Sequence, residues 1–224
     1  MDQSRSKSTS TTNRHARRAA STLLDSNVTG NYLLRRITSH FPARFERIVQ
    51  KRGYPPLDRE IAVAHEAGHL VVGAALGGTC SRTDVWEDIP GVWSGFSAMT
   101  IPGVNYRTIN LETDPKWGER WGKYLVGGLA AEMVIRRFHP ASSLHERSRF
   151  LEFCVELSSV QGKDAELVVA NLLGSAVRTI RNNIAAFESV CATFATTNSA
   201  DPQAVNDALR GVSLHAPPSD VEEA

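Results

Sequence analysis

"AVAHEAGHLVVGAALGG", residues 62–78, sets His65 and His69 four positions apart, with Glu66 beside the first, in a run that is otherwise small or apolar. On a helix, positions i and i+4 share one face about 6 Å apart, so two imidazoles so placed can reach a common point. Glu66 is turned one position away, and its carboxylate falls beside that point instead of on it. Alanine, valine, leucine and glycine surround the three polar residues on all sides. A helix that is apolar all round is a buried helix, and charge buried within it needs a partner. Protein neighbours that satisfy two histidines are one answer, and a cation is the other. The H-E-x-x-H spacing predicts the cation. Zinc is the expected metal and His65 and His69 its ligands, with Glu66 as general base toward a water that zinc acidifies.

The flanks frame the helix. Asp58 is a candidate N-cap, Glu60 stands in the first turn, and Gly77-Gly78 is a stop, which predicts a helix from about 59 to 76. Residues 79–106 change character, and "TDVWED" and "GVWSGFSAMTI" read as short strands and turns. "TDPKW" opens a second long helix, with Asp114 as cap and Pro115 at its first position. Trp117, Trp121, Leu125 and Leu129 share one of its faces and are expected in the core. Gly127-Gly128 fall within it, where glycine costs about 1 kcal/mol relative to alanine, so another backbone is expected to approach there. Two further helical patterns cover about 159–196, and "NSADPQAVNDAL" reads as a turn and a short last helix. The expected fold is mainly α with a small β-sheet, an α+β arrangement, and the chain shows no internal repeat.

The chain has 224 residues, with 42% hydrophobic and 22% charged residues, ordinary for one globular domain with tails. Its charge is uneven. Residues 1–53 hold 11 Lys/Arg against 3 Asp/Glu, a net of +8, and the rest hold 14 against 21, a net of −7. Residues 1–28 read as a disordered basic tail, and 29–56 as a basic amphipathic arm carrying Leu34, Ile37, Phe41, Phe45 and Ile48 at helical steps. Residues 57–212 form the expected domain, and 213–224 a second tail. The basic segment 1–53 suits a weak contact with an anionic surface or a solvated face. Its Ser, Thr and Arg content also fits an organelle-targeting leader, and the default expectation is a cytoplasmic protein with no membrane span. Three cysteines without CxxC spacing read as free thiols.

Two motifs in order carry a resemblance. "DREIAVAHEAGH" (58–69), followed by "GGLAAE" (127–132), resembles the peptidase domain of the FtsH-type ATP-dependent zinc metalloproteases, over roughly residues 58–210. The resemblance implies an endopeptidase fold of that kind and a zinc cofactor. It also implies a third zinc ligand, an aspartate at the start of the helix after G-G-x-x-A-E. Asp164, before the run "AELVVANLL", matches that position, and an Asp there is equally what an N-cap requires. Glu132 is the alternative ligand, or else the carboxylate that orients His65 or His69, with Glu146, His139 and His145 behind it as further candidates. The family's ATPase module has no counterpart in this sequence, which lacks a G-x-x-x-x-G-K-[ST] loop.

These readings predict a stand-alone zinc endopeptidase that cuts unfolded or flexible polypeptide segments without its own ATPase. A separate ATPase or adaptor could feed it, and self-association into a homo-oligomer is open. "SGFSAMTI" (94–101) is the candidate edge strand for an extended substrate. Two other classes stand beside this one. One is a catalytically degenerate, peptidase-like module that binds protein partners. The other is a regulatory protease acting on a DNA-bound repressor, steered by the basic arm.

Overall fold

The computed structural model describes residues 58–104, 110–137 and 144–215, and the expected tail and arm at 1–28 and 29–56 lie outside them. The predicted first helix is α1, Arg59–Ala75. Asp58 caps it by accepting from the Ile61 N–H at 3.1 Å, and Gly77 leaves it with φ +82°. Every residue from Ile61 to Ala75 is buried, so α1 is the central element that its composition predicts.

The sheet is one antiparallel hairpin, β1 (Thr79–Ile89) and β2 (Val92–Thr100), turned at Gly91 with φ +81°. Thr83 pairs with Ser97 and Val85 with Gly95. The hairpin lies against α1. The outer edge of β1 is covered by the 198–200 segment: the Val85 N–H donates to Asn198 O at 2.7 Å, and the Ala200 N–H to Thr83 O at 3.2 Å. Among the described residues β2 has no strand on its own outer edge.

The second long helix is two helices. α2 (Pro115–Leu125) ends at Val126, and α3 (Gly127–Ile135) begins with the glycine pair. The expectation of a glycine pair inside one helix is therefore corrected, while the expected close approach is present. A Cβ at Gly68 would collide with Gly127 O and come within 2.5 Å of the Ala131 Cβ, and one at Gly127 would sit 3.0 Å from Gly68 O. Glycine and alanine let α1 and α3 meet backbone to backbone. Trp117 and Trp121 are half-buried, and it is Gly118, Arg120 and Gly122 that α2 buries.

α4 (Leu144–Gln161) fills the span between the two motif helices and the 164 region. Its Phe150, Cys154 and Leu157 are buried, and the helix packs on α2 and on α5 (Ala165–Asn182). α6 (Ile184–Thr193) and α7 (Pro202–Leu209) close the fold, the latter capped by Asp201 accepting from the Gln203 N–H. Ser213 and His215, expected in the C-terminal tail, belong to the body. The Ser213 N–H donates to Asn183 Oδ1 and the His215 N–H to Ala75 O, which satisfies a carbonyl at the end of α1. Seven helices and a two-stranded sheet, among the described residues, make the expected α+β fold. No helix among them is long and apolar enough to cross a membrane. Cys80, Cys154 and Cys191 are free. Burial raises all three thiols, Cys191 to about 12.

Candidate metal centre

The helical period brings His65 and His69 to one face of α1, where their rings meet edge-on with centroids 5.0 Å apart. Both are buried, about 5% and 6% exposed. Each Nδ1 faces an acceptor. His65 Nδ1 donates to Glu132 Oε1 at 2.8 Å, and His69 Nδ1 to the Tyr124 carbonyl at 2.9 Å. These partners fix the tautomer of each neutral ring, with the proton on Nδ1 and a lone pair on Nε2. The two Nε2 atoms lie 3.2 Å apart and face the same carboxylate. Glu146 Oε2 is 2.8 Å from His65 Nε2, and Glu146 Oε1 is 3.3 Å from His69 Nε2.

Two lone pairs and a carboxylate pointed at one another repel unless positive charge lies among them. The donor set, two imidazole nitrogens and one carboxylate, is one that zinc hydrolases use. Ligands about 2.0–2.1 Å from a tetrahedral zinc stand about 3.3 Å from each other. The Nε2–Nε2 separation of 3.2 Å and the Glu146–His69 separation of 3.3 Å match that edge, while the Glu146–His65 contact of 2.8 Å is a hydrogen-bond length. His65, His69 and Glu146 thus fit a metal ion, and they form the group of potential ligands among the described residues.

The electrostatics agree. Burial would lower the imidazole of His65, but the Glu146 charge and the hydrogen bonds to Glu132 and Glu146 outweigh it and raise this group well above its ordinary value. His69 is likewise raised, burial being outweighed chiefly by Glu146. Burial opposes ionisation of Glu146, yet the two imidazoles pull its carboxyl far below the usual range. A site that attracts positive charge this strongly suits a divalent cation as well as protons.

The predicted residues divide clearly. Glu132, fully buried on α3, holds His65 by its Nδ1 and so takes the orienting role foreseen as one of its two alternatives. Asp164 does not join the cluster. It is exposed at the N-cap of α5, and its Oδ1 accepts the Glu166 and Leu167 N–H groups at 2.9 and 3.1 Å. Glu146, in the first turn of α4, is the carboxylate that stands with His65 and His69. The cap reading of Asp164 prevails because an Asp before a helix satisfies orphan N–H groups with no second partner needed. His139 and the His145 side chain lie outside the described residues.

The G-G-x-x-A-E run reads residue by residue. Gly127 admits the α1 backbone, and Gly128 leaves room for the His65 imidazole, which a Cβ there would overlap. Ala131 meets Gly68, and Glu132 holds His65.

Glu66, about 5% exposed, points to β2. A Cβ at Gly95 would stand 2.6 Å from its Oε1, and the Ser97 side chain hydrogen bonds to its carboxylate. Burial raises the Glu66 carboxyl, against the pull of His65 and His69. A raised carboxyl is suited to exchanging a proton near neutrality. Thr83 and Val85 turn their backbone groups outward from β1, to residues 198–200. Their partners Ser97 and Gly95 consequently turn theirs to the outer edge of β2. On that edge the Tyr124 hydroxyl makes a long contact, 3.4 Å, to Ser97 O.

Among known proteins, no family model and no curated sequence matches this chain.

Proposed function

We propose that the chain is a zinc-dependent endopeptidase. The observation that carries this reading is the convergence of His65 Nε2, His69 Nε2 and the Glu146 carboxylate, with the buried Glu66 carboxylate one residue along the same helix. His65, His69 and Glu146 would hold the metal, and Glu132 and the Tyr124 carbonyl would keep the two rings turned toward it. Zinc at such a site polarises a carbonyl and acidifies water. Glu66 takes the proton of the attacking water and returns a proton to the leaving amine, a task that its raised carboxyl suits. The outward groups of Gly95 and Ser97 accept an extended polypeptide by backbone pairing, which favours unfolded or flexible segments over folded ones.

The order of "HEAGH" and "GGLAAE", and the packing that their glycines allow, support kinship with the FtsH-type peptidases, with Glu146 in place of the aspartate that this resemblance implies. This sequence holds no phosphate-binding loop, so cleavage by the chain itself is independent of ATP.

Metal analysis of the purified protein, followed by digestion of an unfolded protein substrate with and without chelator, tests the proposal. About one zinc per chain is expected, with cleavage lost on chelation and restored by zinc. A folded, zinc-free protein that gains nothing from added zinc overturns it. Bound zinc without cleavage of any unfolded substrate points instead to the protein-binding module.

A further inference from the structure

β2 carries more than an outer edge without a further strand among the described residues. Its inward face lies on Glu66, and two of its residues, Gly95 and Ser97, border that carboxylate. A Cβ added at Gly95 would stand 2.5 Å from Glu66 Cγ and 2.6 Å from Oε1, closer than real carbon atoms approach. Two positions along, on the same face, Ser97 hydrogen bonds to the Glu66 carboxylate. The Ser97 hydroxyl is itself held by Thr83 Oγ1 at 3.0 Å, from the paired position on β1. Thr83 is buried and β-branched, which limits its rotamers.

We infer that Gly95 and Ser97 are positioning residues for Glu66: Gly95 leaves the volume its carboxylate occupies, and Ser97, steadied by Thr83, sets its direction. The inference rests on Glu66 being the base of the proposed reaction. It adds a strand-borne support that H-E-x-x-H does not contain. A buried carboxylate on a helix has several rotamers, and a base must hold the one that faces the water. The geometry also divides labour on β2. The Ser97 side chain and the hydrogen-only Cα of Gly95 face inward to Glu66, while the backbone groups of both residues face the outer edge of β2. A change of the Ser97 side chain should therefore act on turnover and leave edge pairing intact.

The test uses the full chain loaded with zinc. Ser97→Ala should lower kcat about ten-fold, the worth of one hydrogen bond to a charged group. KM, zinc content and melting temperature should stay near wild type. Ser97→Thr, which keeps the hydroxyl and suits a strand, should restore most of the loss. Gly95→Ala should lower kcat about 100-fold, because the displaced carboxylate no longer meets its target. Ser81→Ala, an exposed hydroxyl elsewhere on the hairpin, should change nothing. A measurement independent of activity keeps the inference decidable where the wild-type chain cleaves no substrate. Gly95→Ala should lower the melting temperature in the wild-type background and cease to do so with Glu66→Ala, where the added methyl has room. The inference is overturned by equal melting shifts in the two backgrounds, or by wild-type kcat in Ser97→Ala. Absence of cleavage by the wild type, with the melting coupling present, overturns the proposed function and leaves the packing of β2 on Glu66 standing.

Discussion

At the scale of single residues, the two candidate ligands separate by what their oxygens already do. Asp164 Oδ1 accepts two backbone N–H groups at the head of α5, whereas the Glu146 oxygens face the Nε2 atoms of two imidazoles. Asp164→Ala should therefore cost about 1 kcal/mol of stability, the usual worth of an N-cap, and leave zinc content unchanged. Glu146→Ala should weaken zinc by more than about 100-fold, since even a partner one shell removed from a metal is worth 10- to 100-fold. Zinc titration and urea denaturation of both variants check this, and zinc loss confined to Asp164→Ala would reverse the assignment. Glu66 makes the complementary case. Glu66→Gln keeps the shape and the Ser97 contact but cannot take a proton, so it should bind zinc normally and lose at least about 100-fold in turnover. Wild-type turnover in that variant would remove Glu66 from the chemistry. His65, Glu66 and His69 were legible from spacing alone, because i and i+4 on a helix impose their meeting. Glu146 was one name among several, because only tertiary packing brings a residue 81 positions away in sequence to His65.

At the scale of elements, α1 and α3 form the frame of the site, and small residues set their separation. Gly68 faces Gly127 O and Ala131, so Gly68→Ala inserts a methyl where two backbones meet. Overpacking of this kind costs about 1–3 kcal/mol, and it should also move Glu132 away from His65. Denaturant unfolding should show the loss, and zinc affinity should fall with it. A Gly68→Ala protein with wild-type stability and affinity would mean that α3 can withdraw without cost to the site. The sequence made the close approach legible through its glycines but not the break at Val126. A helix that ends and restarts at once keeps nearly the same apolar pattern on both sides. α4 begins before the helical patterns read at about 159–196, although Phe150, Phe153, Cys154 and Leu157 recur at helical steps. Glu146, Arg147 and Arg149 dilute that stripe, although Ser143 and Glu146 have the spacing of a capping box at its start. The hairpin, by contrast, was visible as two β-rich runs broken at Pro90-Gly91.

At the scale of the molecule, the Glu146 side chain links the first turn of α4 to the central helix α1. The body of α4 packs on α2 and α5, and the Glu146 side chain in its first turn reaches His65 and His69 of α1. A metal shared by His65, His69 and Glu146 would tie the N-terminal turn of α4 to the central helix, and its binding free energy would add to folding stability. With free zinc about 1,000-fold above its dissociation constant, the gain is about 4 kcal/mol, or about 8–16 °C in melting temperature for a domain of this size. The loss on chelation should be local before it is global. The centre of α1 is enclosed by the hairpin, α3, α5 and α6 and stays protected without metal. The first turn of α4 loses its tether and should exchange its amide hydrogens faster. Acid should have the same effect as chelator, since protons and metal compete for the two Nε2 lone pairs, so apparent zinc affinity should rise with pH through neutrality. Hydrogen exchange and thermal melting of the zinc-loaded and chelator-treated protein, at two pH values, decide the matter. Equal melting temperatures with equal exchange at residues 146–150 would show that no metal joins α4 to α1, and that the three side chains are held by protons alone.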